Sequence, residues 1–217
     1  MVINKAVAEP PISQNEILRY AGCKGMADES LQFLLDECLE EVRPKLSYKV
    51  CYTELPLMIT GDICDFEWMQ VRSKDLVKNL EGCKRVVLFA ATIGVEMDRL
   101  IRKYGSISPV KAVMFQAIGA ERIESLCDVF CGELEQEVCG LRPRFSAGYG
   151  DLSLETQKDI FRVLQCEKNI GVSLNNSLLM SPSKSVTAFI GISDNGTNTK
   201  NIHNCMKCKK SDCIYRI

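Results

Sequence analysis

The sequence is poor in histidine and tryptophan, has no long apolar run and carries almost no net charge. Its 217 residues include 1 His and 1 Trp, and 27 basic residues stand against 28 acidic ones, for a net charge of -1. This balance gives no reason to expect nucleic-acid binding or disorder. No apolar run approaches the roughly 20 residues of a membrane span. The first residues lack the basic-then-apolar pattern of a signal peptide. We therefore expect a cytoplasmic protein without nucleic-acid or membrane partners.

Cysteine, by contrast, is abundant, with 12 residues in the chain. Nine of them lie between Cys23 and Cys166, mostly inside apolar stretches. Without an export signal, such cysteines are typical of small buried apolar side chains rather than of a disulfide framework. We predict that these nine are reduced and mostly buried. The remaining three stand close together near the end of the chain and are considered separately below.

The spacing of apolar residues predicts an α+β fold. Helices are predicted at 15–20, 29–42, 74–80, 95–104, 109–138 and 154–164, with Asp28, Ser73, Ser108 and Ser153 as candidate caps. Strands are predicted at 48–58, 86–91, 170–179 and 185–192, the last two joined by a Ser-Pro turn. The apolar pattern stops after Ser193. We therefore predict a folded domain over residues 1–193 and a cysteine-rich tail over residues 194–217.

The loop after the longest predicted helix carries a candidate ligand site. It contains Arg144, Ser146, Gly148 and Tyr149. An arginine can form a two-point, charge-assisted pair with a carboxylate, glycine lets the backbone approach a ligand closely, and a tyrosine ring can face a sulfonium cation. Such a loop suits an amino-acid-like ligand. By composition alone, an ordinary connecting loop with a solubilising arginine is the better explanation, because an arginine followed by Gly-Tyr-Gly is a weak signal.

The loop also resembles a known signature. Arg144-x-Ser146-x-Gly148-Tyr149 resembles the Arg-x-x-x-Gly-Tyr signature of the activation domain at the C-terminus of cobalamin-dependent methionine synthase. Residues 170–186 are similar to that domain's stretch I-G-x-x-L…S…M-x-P…S-V, and a helix around residues 120–124 precedes the arginine loop as in the family. The resemblance is best over residues 110–192, while the N-terminal third is more similar to shorter, free-standing versions. It implies a single activation-domain-like fold, a twisted antiparallel sheet with flanking helices.

The resemblance also implies a chemistry. Activation domains of this family present S-adenosylmethionine to cobalamin that has oxidised to cob(II)alamin, and reduction with methyl transfer restores methylcobalamin. By this resemblance, Arg144 would hold the ligand carboxylate, Ser146 and Gly148 would make backbone contacts, and Tyr149 would line the site. The family binds the ligand's amino group with an acidic residue near the domain's start. No position of this sequence can be matched to that residue.

The chain does not carry the family's cobalamin-binding signature, Asp-x-His-x-x-Gly, because its single histidine is His203. The resemblance therefore implies a protein that acts in trans on a cobalamin-bearing methionine synthase lacking its own activation domain. Flavodoxin or ferredoxin would supply the electron. Another corrinoid methyltransferase as the partner stays open.

The tail holds a second candidate site, Cys205-x-x-Cys208-x-x-x-x-Cys213. Two thiolates two residues apart are the usual start of a zinc or iron–sulfur site, since the turn lets both sulfurs face one ion. His203 is a possible fourth ligand at a tight spacing. Free thiols in a disordered tail, or a surface redox pair, are the alternatives. A small metal- or cluster-binding redox or interaction protein is accordingly the second functional hypothesis.

Overall fold

The two longest strands are also the most apolar segments of the chain, and they pair with each other along their whole length. The computed structural model describes residues 1–23, 28–138 and 140–193. Its strands are β1 Ile3–Ala6, β2 Lys49–Pro56, β3 Met58–Thr60, β4 Ile63–Asp65, β5 Gln70–Arg72, β6 Cys83–Thr92, β7 Ser173–Leu174, β8 Met180–Ser181 and β9 Ser185–Ser193. Its helices are α1 Gln14–Tyr20, α2 Glu29–Val42, α3 Lys74–Asn79, α4 Glu96–Ile107, α5 Pro109–Glu137, α6 Thr156–Leu164 and α7 Cys166–Ile170, with a 3-10 turn at Arg43–Lys45.

The main sheet has four antiparallel strands in the order β1-β2-β6-β9. Strands β6 and β9 are buried on both faces, which explains why their sequences are continuous apolar runs rather than alternating ones. Helices α2, α4 and α5 cover one face, and α3, α6 and α7 cover the other with the small sheet β3-β4-β5. The predicted α+β fold with an antiparallel sheet and flanking helices is confirmed.

Strand β9 lies at the edge of the main sheet, and the chain that follows α5 covers this edge. Leu141 forms a bridge to Ile192, and Phe145 forms one to Phe189. Covering an edge strand removes a row of unpaired backbone groups. The same contact fixes the start of the arginine loop against the sheet.

The predicted N-terminal caps are confirmed where the capping side chain reaches the first turn of its helix. Asp28 Oδ1 accepts a hydrogen bond from Leu31 N at 2.8 Å, and Ser73 Oγ accepts one from Leu76 N at 3.0 Å. At Ser108 only the backbone carbonyl takes part, accepting from Ala112 N at 3.1 Å. Helix α6 begins at Thr156 rather than at residue 154. The Ser153 hydroxyl accepts a hydrogen bond from Glu155 N in the preceding turn and does not cap the helix.

The predicted strand at 170–179 is wrong for most of its length. Helix α7 ends at Ile170, and Gly171 takes a left-handed conformation with φ of 73°. Only β7 is extended, and it pairs with β8. The Asn175 side chain then accepts hydrogen bonds from two backbone N–H groups of the following turn, which ends the strand. Strand β1, missed from the sequence, adds to the edge of β2.

The described cysteines are free thiols, as predicted. Apart from the half-buried Cys23 they are buried. Cys139 and the three tail cysteines lie outside the described residues. None of the described helices is long and apolar enough to cross a membrane.

Candidate functional site

A large open groove lies between helix α5, the arginine loop and the segment from residue 175 to β9. Its volume is about 1460 Å³, which exceeds the roughly 300–1,000 Å³ of ordinary small-molecule pockets. Of the predicted site residues, Arg144, Ser146 and Tyr149 line the groove. Gly148 is not among the lining residues, and its part is to shape the loop. The structure thus brings three of the four predicted residues to one wall.

The arginine loop is held at its start by backbone hydrogen bonds to β9. Phe145 and Phe189 exchange two N–H···O bonds of 2.9 Å across the edge of β9. After Phe145 the chain makes a tight turn, in which Tyr149 N donates to Ser146 O at 3.1 Å. Gly148 enters this turn with φ of 90°, a conformation that favours glycine. Tyr149 stays 66% exposed at the groove, and this exposure leaves its ring accessible to a ligand.

Beyond the turn, Asp151 attaches the arginine loop to the start of helix α3 through a set of hydrogen bonds, called the clasp below. The Asp151 carboxylate accepts hydrogen bonds from Ser73 Oγ, from Lys74 N at 2.8 Å and from Asp75 N at 3.2 Å. In return, Asp75 Oδ2 accepts from Asp151 N at 3.2 Å. A carboxylate at the N-terminus of a helix satisfies its free N–H groups. The bond from Ser73 and the backbone bonds lower the pKa of Asp151 below its ordinary value, so this clasp is charged at neutral pH.

The Arg144 side chain is largely buried in the groove wall, only 17% exposed. Its Nη2 donates to Glu124 Oε2 at 2.9 Å. Its Nη1 lies 2.9 Å from Asp128 Oδ1, but not in line for a hydrogen bond. This buried Nη1 has no hydrogen-bond partner among the described residues. The guanidinium is therefore oriented by two carboxylates of α5, Glu124 through a hydrogen bond and Asp128 through an ion pair.

Sequence reasoning missed the two carboxylates that orient Arg144. Glu124 and Asp128 stand four residues apart on α5, which places them one above the other on the same face of the helix. Glu124 was noted only as part of the helix that precedes the loop. The spacing of the two acids was a usable signal, but their distance from Arg144 along the chain hid the contact.

Two further groove residues, Cys131 and Tyr20, have altered acidity. Burial raises the pKa of the Cys131 thiol to about 11, so this cysteine is a neutral thiol at pH 7 and a poor nucleophile. Burial also raises the pKa of Tyr20, and the nearby charge of Glu124 adds to the effect. Neither residue is set up for covalent catalysis, and the groove has the chemistry of a binding site.

Gln157 and Thr187 form a polar floor that the sequence did not indicate. Thr187 Oγ1 donates to Gln157 Oε1 at 2.9 Å, and both residues are buried and line the groove. Leu154 and Leu179 are exposed apolar residues of the same groove. A polar floor with an apolar rim suits a ligand that has both a polar and an apolar part.

Metal binding finds no support in the part of the chain that the structure describes. Across residues 1–23, 28–138 and 140–193, no three His, Cys, Asp or Glu side chains are grouped so that they could hold a metal ion. The predicted ligands Cys205, Cys208 and Cys213, together with His203, lie outside these residues.

The comparisons with known proteins agree with the motif in the loop. Residues 133–213 match the family model of the vitamin B12-dependent methionine synthase activation domain. The chain resembles this activation domain. The resemblance predicted from the loop motif is thereby confirmed, and the matched stretch contains both Arg144 and the three tail cysteines.

The fold of the activation domain extends the likeness beyond the matched stretch. The crystal structure of the MetH reactivation domain bound to AdoHcy superposes with a TM-score of 0.65 at 14% sequence identity, covering 90% of this chain and 79% of that one. At this identity the likeness concerns the fold. A search among curated proteins gave no match.

Proposed function

We propose that the protein binds S-adenosylmethionine in the groove, with Arg144 on the ligand carboxylate. The observation that carries this proposal is the guanidinium of Arg144, which lines the groove and is held there by the α5 carboxylates Glu124 and Asp128. It lies in the stretch that matches the activation-domain family. The structure of similar fold holds AdoHcy, the demethylated form of the same ligand. Ser146 contributes backbone contacts, and Tyr149 lines the site next to the sulfonium. Gly148, expected from the sequence to make backbone contacts as well, does not line the groove and shapes the loop instead.

The protein then serves reductive reactivation in trans, as methyl-donor site for a cobalamin held by a partner. The given sequence contains no Asp-x-His-x-x-Gly motif, and we propose that the corrinoid belongs to a cobalamin-bearing methionine synthase that lacks its own activation domain. Flavodoxin or ferredoxin delivers the electron. Methyl transfer requires the sulfonium methyl in line with cobalt at near-attack distance. The open groove of about 1460 Å³ supports this proposal, because a site that must face a partner cannot be closed.

Arg144→Ala should weaken S-adenosylmethionine binding by about tenfold or more, since a lost charge-assisted hydrogen bond is worth about 1.5–3 kcal/mol. Isothermal titration calorimetry measures the affinity. Arg72→Ala is the matched control, because Arg72 is an exposed arginine of the small sheet, paired with Asp62 and outside the groove. Equal affinity in the wild type and Arg144→Ala would contradict the assignment of this site.

The same variant tests the role in reactivation. The partner enzyme in the cob(II)alamin state is mixed with reductant, S-adenosylmethionine and the protein, and the cobalamin spectrum is followed. Methylcobalamin should appear with the wild type and much more slowly with Arg144→Ala. Methylcobalamin that forms equally fast without the protein would refute the role. Running a methionine synthase and another corrinoid methyltransferase in parallel identifies the partner class.

The cysteine-rich tail is proposed as a separate metal or cluster site, with Cys205, Cys208 and Cys213 as ligands. The Cys-x-x-Cys spacing supports it. We expect anaerobically purified protein to contain stoichiometric zinc or iron by elemental analysis. The triple Cys→Ser variant should lose the metal while its thermal unfolding stays that of the wild type. Metal retained in that variant would place the site elsewhere. A tail that binds metal, combined with no S-adenosylmethionine binding, would favour the small redox-protein hypothesis.

A further inference from the structure

Helix α5 presents an acidic face to the edge of the groove near its C-terminal end, and we propose that the chain's own cysteine-rich tail, residues 194–217, docks on it. This face consists of Asp128, Gly132 and Glu135 and is called the open face below. Docking there brings the cysteine motif of the tail to the groove. The contact goes beyond the proposed S-adenosylmethionine binding and does not depend on it.

The open face is a continuous side of α5 that the described residues leave uncovered toward the end of the helix. Its three members follow one another at spacings of four and three residues, which places them on one side of a helix. A Cβ at Gly132 would meet no heavy atom of the described residues within 4 Å. Glu135 is exposed and forms no ion pair or hydrogen bond with the part of the chain that the structure describes. This side of α5 is therefore free to bind another segment.

The charges at this end of α5 are opposite to those that a helix end favours. The C-terminal end of a helix carries about half a negative charge, and basic residues are stabilising there. Helix α5 has no basic residue in its last turn, and it carries Glu133, Glu135 and Glu137 instead. Glu133 pairs with Lys5 at 2.7 Å, which leaves the other two without an ion pair among the described residues. A cationic segment bound at the open face would therefore stabilise the helix end.

The tail is the part of the chain with the complementary charge. Residues 194–217 hold five of the 27 basic residues but two of the 28 acidic ones, so the rest of the chain is acidic. Lys207, Lys209 and Lys210 stand among the cysteines of the motif. Opposite charges on two surfaces favour their encounter and fix their register. Binding of these lysines would place the cysteines next to the open face, so that a metal ion held by the motif would lie at the groove.

The tail also begins beside the end of α5. Ser193 N donates to Gly140 O at 2.9 Å, three residues after α5 ends at Glu137. Asp128 lies about 14 Å back along the helix from Glu137. Lys200 stands seven residues after Ser193, a span of up to about 23 Å, so the tail can reach the whole open face. A segment tethered this closely has an effective concentration of about 1 mM, at which a few weak ion pairs are sufficient for docking.

Cross-linking of the full chain locates the contact. A water-soluble carbodiimide joins lysine amines to carboxylates in direct contact, and mass spectrometry of the digest identifies the linked residues. We expect the tail lysines to be linked to Glu135 or Asp128, within one molecule in a mixture of isotope-labelled and unlabelled protein. Links should become rare at 0.5 M salt, which screens exposed ion pairs. Links confined to other acids, such as Asp36 and Glu40 of α2, or links formed only between molecules, would overturn the proposal.

Trypsin cleavage after the tail lysines measures docking in variants of the full chain. Glu135→Gln should speed this cleavage about twofold to fivefold, the effect of losing one exposed ion pair on the docked population. Glu137→Gln is the matched control, because Glu137 is an exposed acid of the same helix end that does not line the groove, and it should be cleaved like the wild type.

Protection of the tail by a bound metal alone would be the same in both variants, so equal cleavage rates in Glu135→Gln and Glu137→Gln contradict docking on the open face. An unchanged Tm in both variants shows that neither rate reflects a folding defect. Neither measurement involves S-adenosylmethionine. A wild type that fails to bind this ligand therefore contradicts the proposed function alone, and a tail that does not dock contradicts this inference alone.

Discussion

Replacing Arg122 with methionine should lower the free energy of unfolding by about 3–5 kcal/mol, the cost of leaving a buried charge without its partner. Arg122 is fully buried on α5 and forms a two-point pair with Glu121, with Nε and Nη2 at 2.5 and 2.6 Å from the two carboxylate oxygens. It also donates to the carbonyls of Pro10 and Pro11 at 2.7 and 2.5 Å. Methionine keeps much of the volume but leaves these acceptors unsatisfied.

Chemical denaturation of Arg122→Met measures this loss. The matched control is Arg99→Met, which removes a pair with Glu96 from an arginine that is 67% exposed, and this should change stability by less than about 1 kcal/mol. The double variant Glu121→Leu with Arg122→Met should be more stable than Arg122→Met alone, because it removes the stranded carboxylate. A loss no greater than that of Arg99→Met would show that the N-terminal segment is not held by this pair.

The buried pair ties the start of the chain to the groove helix. Glu121 Oε1 also accepts from Ser13 N at 2.9 Å and from Ser125 Oγ at 2.8 Å. Glu121 thus anchors the residue that caps α1, and α1 carries Tyr20 to the groove. In the sequence, Glu121 and Glu124 are indistinguishable members of one helix. Which of them is buried with Arg122 and which meets Arg144 depends on the packing of α5 against two different segments.

Predictions from sequence held where the deciding forces are local. The caps at Asp28 and Ser73, and the apolar runs of β6 and β9, depend on neighbours a few residues away. The segment after α7 failed because Gly171 and the Asn175 side chain impose a turn that outweighs its apolar composition. Strand β1 was missed since it is short and gains its hydrogen bonds only from β2.

The candidate site shows the same difference between features set by neighbouring residues and features set by long-range packing. The loop residues could be found because they are contiguous, and a motif records them. The carboxylates at positions 124 and 128 act on Arg144 only through the packing of α5 against the loop. Likewise, the clasp between Asp151 and the start of α3 joins residues 77 positions apart. The spacing of Glu124 and Asp128 places the two acids on one face of α5, but nothing in the sequence indicates that this face meets Arg144 or that Asp151 meets α3.

Gly150→Ala should disrupt the arginine loop without touching any groove-lining residue. Gly150 has φ of 53°, and an added Cβ would stand 2.9 Å from Asp75 Cγ and 3.0 Å from Asp75 Cβ. The left-handed conformation costs a residue with a side chain about 1–3 kcal/mol. The clash also pushes the Asp75 carboxylate away from Asp151 N, from which it accepts a hydrogen bond at 3.2 Å. We therefore expect a lower Tm and an affinity for S-adenosylmethionine that falls by about tenfold, although Arg144 is intact.

Gly61→Ala is the control that separates strain from the clash. Gly61 has φ of 62° and open space around it, in the turn between β3 and β4, so alanine there brings the strain alone and should leave ligand affinity unchanged.

The hydrogen bonds between Asp151 and the start of α3 also make the stability of the protein depend on pH. Because the pKa of Asp151 is lowered by hydrogen bonds from Ser73 and the backbone of α3, its stabilising effect is present above the ordinary pKa of an aspartate and is lost as pH falls through the lowered value. Gly150→Ala should show less of this acid-induced loss than Gly61→Ala. If the two alanine variants bind S-adenosylmethionine equally well, the clasp does not position Arg144, and the loop owes its conformation to the edge of β9 alone.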